Sequence, residues 1–266
     1  MSEPVAAIDV GNTRAKFGLF DITSGKLPVP LYLAACVLRS TPSLAEALRS
    51  WIPALPIDRP ALAAVAGSDP ESRDRLLNEW PFPDCRPVTI SHSGQIPVEV
   101  DVEFPERVGI DRLLNTYAAL RMAQRQQPVI VVDSGTATTV DLMTADGIFR
   151  GGSILPGLRL SAHALHDYTA RLPLLDTDQA PCDLPPLPGR STEAALRAGL
   201  FIGQLGAARE LTAGLTAASA QQYRQARPPA LYVSGGGGRQ LARHLTGACY
   251  VDSLALHGLA MLLLRQ

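Results

Sequence analysis

The sequence predicts an α/β protein made of two similar domains, residues 1–127 and residues 128–266, each with a mixed β-sheet covered by helices. Three observations support this fold class. Apolar, strand-like segments alternate with helical segments along the chain. A length of 266 residues suits two domains of ordinary size. Two hairpins of the same design lie half a chain apart, at residues 5–21 and 129–141, which suggests an internal duplication.

The segment 129–141 combines a buried strand with a polar turn. Residues 129–132 form a continuous apolar run, which is typical of a strand buried on both faces. Asp133 follows, and Gly135 would let the backbone turn with a positive φ and bring its N–H groups close to a ligand. The β-branched threonines let the chain return as a second strand that closes at Asp141. A carboxylate, bare amides and hydroxyls suit a metal-bound polyphosphate.

The segment 5–21 repeats this design near the N-terminus. An apolar strand again delivers an acid, Asp9, followed by Gly11 and Thr13, and residues 17–20 form the returning strand. A single Asp-x-Gly turn would be weak evidence, because many ordinary turns contain one. Two such turns in matching contexts are stronger evidence, and they predict a ligand held between the two halves.

The first hairpin also carries positive charge. A lone acid at a strand end is more often a turn former or a cap than part of a ligand site. Here Asn12 and its neighbours add amide donors, and Lys16 is a mobile cation that could reach a terminal phosphate. Asp9 would hold Mg²⁺ through water, because this ion dehydrates reluctantly. Arg14 alternates in phase with Lys16 and is the alternative phosphate cation.

The composition is that of an ordinary globular protein, with 46% hydrophobic and 18% charged residues. The 24 basic and 25 acidic residues form no basic stripe, which argues against nucleic acid as the main partner. No apolar run approaches the roughly 20 residues of a membrane span, and the N-terminus lacks the basic segment of a signal peptide. The cysteines form no C-x-x-C motif and suit free, buried thiols in a reducing cytosol: Cys36, Cys85, Cys182 and Cys249. We therefore expect a cytosolic protein.

The rest of the first half adds a strand and then alternates helices with strands. The predicted elements are a strand at 31–38, a helix from the capping box of Ser43 and Glu46 to Trp51, a strand at 62–66, a helix from Pro70 that ends before Pro81, and a strand at 88–90. The resulting order, β-β-β-α-β-α-β, is typical of a mixed sheet with covering helices. A helix at 111–125 would lead into the second half.

The second half continues with a glycine-containing stretch at 151–157, after which a helix begins. Five prolines in residues 173–189 predict an ordered surface loop or a lid: Pro173, Pro181, Pro185, Pro186 and Pro188. Ser191 or Thr192 would cap a long helix to about residue 219. Its three glycines suit either a dimer contact or a helix that lies on its own sheet: Gly199, Gly203 and Gly206.

The chain then adds a strand at 231–233, a helix from Arg239, a strand that ends in Asp252, and a terminal helix. The loop at 235–238 between the first two contains four glycines. It could let a flat ring lie against the backbone, or it could be a flexible β–α turn, and the sequence favours neither.

Two further groups of polar residues could carry chemistry. Asp111 begins the helix at 111–125, where an isolated acid is more often an N-cap than a catalytic group. Arg112 beside it could grip an anionic substrate. His163 and His166 are three residues apart on a predicted helix, but no third metal ligand is evident, so we interpret them as structural.

Five motifs together resemble those of type III pantothenate kinases: DVGNTRAK (9–16), GIDR (109–112), DSGTATTVD (133–141), GGSILPG (151–157) and STEAALRAG (191–199). This family belongs to the superfamily of acetate and sugar kinases, heat-shock chaperones and actin, and relatives are also described as Bvg accessory factors. The resemblance implies two duplicated ribonuclease-H-like (actin-like ATPase) domains, each with a mixed five-stranded sheet, and a ligand cleft between them. It also implies a homodimer.

The resemblance assigns roles residue by residue. The implied ATP-binding residues are Asp9, Val10, Gly11, Asn12, Thr13, Arg14, Ala15, Lys16 and Thr136, with Mg²⁺ held at Asp9 through water. The implied pantothenate-binding residues are Val102, Gly109, Ile110, Asp111, Arg112 and, across the subunit boundary, Thr192. Asp111 would be the general base, and Asp133 would bind a monovalent cation, K⁺ or NH₄⁺. One position departs from the family: many members have an aromatic residue where this chain has Val102, and Phe104 follows two residues later.

The implied activity is the ATP-dependent phosphorylation of pantothenate to 4'-phosphopantothenate, the first step of coenzyme A biosynthesis. One alternative is a sugar or polyphosphate enzyme of the same superfamily, but generic sugar kinases share neither GIDR nor STEAALRAG. Another alternative is a non-catalytic regulatory accessory factor that keeps the kinase fold. The intact acids argue against a retired active site: Asp9, Asp111 and Asp133.

Overall fold

A computed structural model describes residues 3–11, 13–23, 26–38, 43–51, 59–67, 70–177 and 183–264. Of the residues named above, Asn12, Pro181 and Cys182 lie outside these ranges. Within them, no helix combines the length and the apolar character needed to cross a membrane.

The described chain contains eleven strands and seven α-helices. The strands are β1 (Glu3–Val10), β2 (Arg14–Ile22), β3 (Val29–Val37), β4 (Leu62–Gly67), β5 (Val88–Ile90), β6 (Glu99–Val100), β7 (Val129–Ser134), β8 (Ala137–Met143), β9 (Ile148–Pro156), β10 (Ala230–Ser234) and β11 (Ala248–Tyr250). The helices are α1 (Leu44–Trp51), α2 (Pro70–Asn78), α3 (Ile110–Met122), α4 (Leu158–Asp167), α5 (Thr192–Gln221), α6 (Gly238–His244) and α7 (Leu254–Leu263).

The chain divides into two compact units. The first unit comprises residues 1–125, 147–149 and 253–266. The second unit comprises residues 126–146 and 150–252.

The sheet of the first unit has the strand order β3-β2-β1-β4-β5. β1 pairs antiparallel with β2 and parallel with β4, so the hairpin stands beside a parallel βαβ arrangement. On one face of the sheet, Phe17 and Leu19 pack in a cluster with Leu48 of α1 and Leu76 of α2. On helix α7, Gly258 lies so close to Leu114 of α3 that an added Cβ would come within 2.6 Å of its carbonyl oxygen. Burial of these apolar faces is the main force that orders the unit.

The second sheet repeats this topology. Its strand order is β11-β10-β7-β8-β9, so β7 and β8 take the places of β1 and β2, and β10 takes the place of β4. The predicted duplication is therefore confirmed at the level of topology. A sixth strand that the sequence does not predict, β6, extends this sheet and pairs in parallel with Ile148 and Phe149 at the start of β9, so the expectation of five strands in each sheet is wrong for the second sheet.

The element order predicted for the first half is confirmed, and the helix α1 begins as expected. The Glu46 amide donates a hydrogen bond of 3.2 Å to Ser43 Oγ, which is one half of the predicted capping box. Helix α3, by contrast, ends at Met122 rather than at residue 125. Gln124 and Arg125 take the left-handed conformation, and their amides donate back to the last turn of the helix. This is the Schellman arrangement with glutamine where glycine is usual.

Three other sequence expectations need correction. The strand expected to end at Asp252 ends at Tyr250. The expected buried state of the cysteines holds for Cys85, whose thiol pKa is raised by burial, whereas Cys36 is only partly buried and Cys249 is exposed. Gly135 does not have the positive φ that we expected, so the turn does not depend on left-handed backbone there.

The long helix α5 begins as predicted, because Ser191 Oγ accepts a hydrogen bond of 3.1 Å from the Ala194 amide. One face of α5 packs on its own sheet through Phe201 and Leu205. Its three predicted close-approach glycines have nothing within 4 Å of an added Cβ among the residues that the structure describes: Gly199, Gly203 and Gly206. Helix α5 therefore lies on its own sheet through a face without these glycines, so this packing does not explain them, and a dimer contact at the glycines stays a prediction.

Candidate active site

The first hairpin brings an acid and a base together. Asp9 in β1 is the antiparallel partner of Lys16 in β2. Directly opposite residues have Cβ atoms about 4.5–5.5 Å apart on the same face of the sheet. The side chains of Asp9 and Lys16 therefore leave the sheet side by side on one face. Both are only partly buried. The arrangement puts a cation beside the acid that could hold a metal.

The other residues of this hairpin contribute mainly backbone. Val10 and Ala15 are buried on the opposite face, so their side chains cannot contact a ligand. The turn is closed by the Gly11 amide, which donates 3.0 Å to the carbonyl oxygen of Arg14. Thr13 is partly buried and Arg14 is exposed. Arg14 therefore remains the alternative phosphate cation.

Asp111, the second candidate acid of the first unit after Asp9, lies in the first turn of α3 and is exposed. The N-cap of α3 is Gly109, so the interpretation of Asp111 as an N-cap is wrong. Asp111 Oδ1 accepts a hydrogen bond of 2.9 Å from the Arg112 amide. A Cβ on Gly109 would come within 2.5 Å of that oxygen, so glycine leaves the room that the carboxylate needs.

Arg112 has a partner that the sequence does not reveal. Its guanidinium carbon lies 5.5 Å from the centre of the Phe149 ring, which is 0% exposed. An arginine at this distance from an aromatic face gains a cation–π attraction. Nothing in the local sequence links the two residues, because the contact depends on the start of β9.

One aromatic contact lies near Val102, the position where many family members have an aromatic residue. Val102 is partly buried, whereas Phe104 is 46% exposed. The guanidinium carbon of Arg107 lies 4.6 Å from the centre of the Phe104 ring. One face of the Phe104 ring is therefore covered by Arg107, and Val102 has no aromatic ring to offer.

The second hairpin has a different polar set. Asp133 in β7 is paired with Thr139 in β8 and with Ser234 in β10. Paired residues on neighbouring strands point to the same face, so a carboxylate and two hydroxyl-bearing side chains share this face. Thr136 is exposed at the tip of the turn.

Backbone contacts fix the tip of this hairpin. The Gly135 amide donates 2.9 Å to the carbonyl oxygen of Ala137 and closes the turn. The Gly157 amide donates 3.0 Å to the carbonyl oxygen of Thr136. A Cβ on Gly157 would collide with the carbonyl oxygens of Gly135 and Thr136. Gly157 is thus required for close approach to the turn.

The glycine-rich loop after β10 also packs on this turn. Gly235 has a φ of +86°, and an added Cβ would lie 2.4 Å from the carbonyl oxygen of Ser134 and 2.5 Å from Asp133 Oδ1. A Cβ on Gly237 would lie 2.6 Å from Ser134 Oγ. These two glycines therefore have a packing role within their own unit. The sequence leaves open two further roles for this loop, contact with a flat ring of a ligand and a flexible β–α turn.

The Asp133 turn fits a hard monovalent cation better than a transition metal. Its side chains and carbonyls offer oxygen donors, which hard cations prefer, and no thiolate or imidazole. Among the described ranges, no group of three or more histidine, cysteine, aspartate and glutamate side chains could hold a metal ion. His163 and His166 belong to no such group, and His166 Nδ1 lies 2.9 Å from the carbonyl oxygen of Leu172.

Thr192 is exposed at the first position of α5. It lines an open groove of about 520 Å³ with residues from α4, α5 and the segment between them, including Leu165, Leu172 and Leu196. The groove is mostly apolar, and Thr192 supplies its hydroxyl group.

The repeated strand order and the repeated acid-tipped hairpin define a duplicated ribonuclease-H-like protein, the fold class of actin-like ATPases and sugar kinases. A family model described as type III pantothenate kinase matches residues 5–214. The chain belongs to the type III pantothenate kinase family.

Similar proteins carry the same description. A type III pantothenate kinase of Rhodopirellula baltica is 43% identical over 151 residues, which are 56% of this chain and 54% of that protein. The match thus spans about half the length of this relative. A type III pantothenate kinase of Hyphomonas neptunium is 32% identical over 237 residues, which are 86% of each chain.

One solved structure adds support for the fold alone. A conserved Campylobacter jejuni protein, described as a candidate Baf family transcriptional activator, has a TM-score of 0.58 at 19% identity. The superposition covers 97% of this chain and 96% of the other.

Proposed function

We propose that this protein transfers the γ-phosphate of ATP to pantothenate and forms 4'-phosphopantothenate, the first step of coenzyme A biosynthesis. The observation that carries this proposal is the family match over residues 5–214, which contain every residue to which we assign a role. The reaction is a phosphoryl transfer to an alcohol, so the protein must bind a polyanion, orient a hydroxyl group and accept one proton.

The phosphates belong to the first hairpin in this proposal. The adjacent Asp9 and Lys16 support it, because one can hold metal-bound water and the other can neutralise phosphate charge. Asn12 and Thr13 would add hydrogen bonds to the phosphates. Mg²⁺ enters with ATP and supplies further charge neutralisation at the phosphate oxygens.

Asp111 is the proposed general base, and Arg112 is the proposed partner of the pantothenate carboxylate. An ordinary aspartate, with a pKa of about 3.9, is a weak base for an alcohol. The transition state of phosphoryl transfer is loose, however, and the nucleophile loses its proton late. Asp111 therefore has to orient the hydroxyl group and accept its proton as that proton becomes acidic. Exposure in the first turn of α3 supports this role.

The second unit contributes a monovalent-cation site at Asp133 and an ATP contact at Thr136 in this proposal. K⁺ or NH₄⁺ would supply positive charge at Asp133. We also propose that the protein acts in the cytoplasm as a homodimer in which Thr192 contacts pantothenate bound to the other subunit. The exposure of Thr192 supports an intermolecular contact.

A coupled assay of ADP release tests the proposal. We expect ADP release that depends on pantothenate and is faster in K⁺ or NH₄⁺ than in Na⁺ buffer. A non-catalytic regulatory factor would give no pantothenate-dependent ADP in any buffer. Equal rates in K⁺ and Na⁺ would instead overturn only the cation role of Asp133.

A further inference from the structure

A buried glutamine lies on the apolar face of helix α5. Gln204 is 6% exposed, and its neighbours on the same face, Phe201, Leu205 and Ala208, are buried apolar residues that pack on the second sheet. A primary amide in such surroundings loses its hydrogen bonds to water, which is costly unless protein groups replace them. The contacts of this side chain therefore need an explanation.

Gln204 donates into a short chain of buried hydrogen bonds. Its Nε2 lies 2.5 Å from Thr138 Oγ1 in β8, and Thr138 Oγ1 donates 3.3 Å to Ser134 Oγ in β7. Thr138 is 0% and Ser134 is 2% exposed. A hydroxyl group can accept one hydrogen bond and donate another, so Thr138 links the helix to both strands of the hairpin.

This chain ends at the base of the turn that carries Asp133 and Thr136. Ser134 directly follows Asp133, and its carbonyl oxygen accepts a hydrogen bond of 3.0 Å from the Gly237 amide. Ser134 and Thr138 are also the last antiparallel pair before the turn. The hydrogen bonds from Gln204 therefore hold the two strand ends from which the turn projects.

Stability alone does not account for a glutamine here. Gln204 Oε1 is buried and accepts no hydrogen bond from the described residues. An apolar side chain of similar length would remove this unpaired oxygen together with the hydrogen bond to Thr138, so the two effects on stability oppose each other and the net change is expected to be small. Proteins carry such locally unfavourable groups mainly at functional sites.

We propose that Gln204 is a positioning residue that holds the Asp133–Thr138 turn for phosphoryl transfer by hydrogen-bonding to Thr138. The role in transfer rests on the proposed function, whereas the role in holding the turn does not. Gln204 touches no substrate in this account and acts only through Thr138 and Ser134. Loss of its amide leaves the sheet intact and lets the turn move.

The variant Gln204→Met tests the proposal, with Thr212→Val as the matched control. Thr212 lies on the same helix and also has a buried oxygen, Oγ1, without a hydrogen-bond partner among the described residues. We expect Gln204→Met to lower kcat/KM for ATP roughly ten- to a hundredfold, because small displacements at a reacting centre have effects of this size. Its Tm should change little, because the lost hydrogen bond and the removal of the unpaired oxygen have opposite effects, and Thr212→Val should match the wild type in kinetics.

Amide hydrogen exchange provides a readout that does not depend on activity. The amides of Gly135 and Gly237 are hydrogen-bonded at the turn, so we expect Gln204→Met to speed their exchange by about five- to tenfold. Unchanged exchange at both amides would overturn the proposal whether or not the wild type is active. An inactive wild type with faster exchange in the variant would overturn the proposed function and leave the holding role supported.

The variant Thr138→Val removes the same contact from the other side. The double variant with Gln204→Met should then have nearly the kcat/KM of either single variant, because both changes break one chain of hydrogen bonds. Multiplicative losses would show that the two residues act independently and would overturn the proposal. If Gln204→Met fails to fold, Thr138→Val alone still decides the matter by the same exchange measurement.

Discussion

The two acid-tipped hairpins share a topology but differ in the residue that faces the acid. Asp9 is paired with Lys16, whereas Asp133 is paired with Thr139. The first hairpin therefore offers positive charge beside its carboxylate, and the second offers oxygen alone. The comparison shows how one duplicated scaffold can divide two tasks, with a polyanion suited to the first copy and a cation suited to the second.

The turns that follow β4 in the first sheet and β10 in the second sheet also differ. Gly67 ends β4 and Gly235 follows β10, at equivalent places beside the two hairpins. A Cβ on Gly67 would lie 2.9 Å from the carbonyl oxygen of Val10, so the chain also passes close there. At Gly235 the approach is closer and φ is positive, so the second copy is more tightly constrained.

The largest effect is expected for Asp111, the proposed general base in the first unit. The substitution Asp111→Asn should lower kcat roughly 10²–10⁴-fold with the fold intact, because the amide cannot accept the proton of the hydroxyl group. Steady-state kinetics and circular dichroism measure the two quantities. Asp146→Asn, an exposed acid between β8 and β9, is the control and should behave as the wild type. Activity of Asp111→Asn within a few-fold of the wild type would remove Asp111 from the base role.

The next effect tests the charge difference between the hairpins. Lys16→Met keeps the length of the side chain and removes the cation that faces Asp9, so kcat/KM for ATP should fall roughly 10²–10³-fold. Lys26→Met, at an exposed lysine beyond the end of β2, should change it little. If the two variants have equal kinetics, the phosphate cation is not Lys16, and Arg14→Met becomes the decisive variant.

The smallest effect concerns the two glycines. Gly235→Ala should lower the Tm by roughly 3–10 °C, because alanine at positive φ and in close contact costs about 1–3 kcal/mol. Gly67→Ala should lower the Tm less, because its approach to the neighbouring strand is longer. Thermal unfolding followed by circular dichroism compares them directly. A larger loss for Gly67→Ala would contradict the tighter constraint that we infer for the second copy.

Much of the fold follows from local sequence patterns. The apolar runs and the repeated Asp-x-Gly turns predict both hairpins, and Ser43 and Ser191 predict the starts of α1 and α5. The two-residue strand β6 has no local signal, because only its pairing with Ile148 and Phe149 makes it a strand. The end of α3 was also hidden, since no glycine marks the left-handed residues.

In the candidate site, the sequence likewise reveals some features and hides others. Its acids and the lysine are visible in the motifs, because they lie in the strands of the two hairpins or in the first turn of a helix. The contacts that support them are not visible, since they join distant parts of the chain. Gln204 and Thr138 are 66 residues apart, and Arg112 meets Phe149 only once β9 has formed. A lone glutamine on an apolar helical face was the available signal for the first contact.

The most direct test of the account is phosphorus NMR of a mixture of the protein, pantothenate, ATP, Mg²⁺ and K⁺. The account predicts a new phosphate monoester resonance that grows as the γ-phosphate resonance of ATP declines, with one monoester formed for each ADP. Formation of ADP and inorganic phosphate without the monoester, or no consumption of ATP, would contradict it.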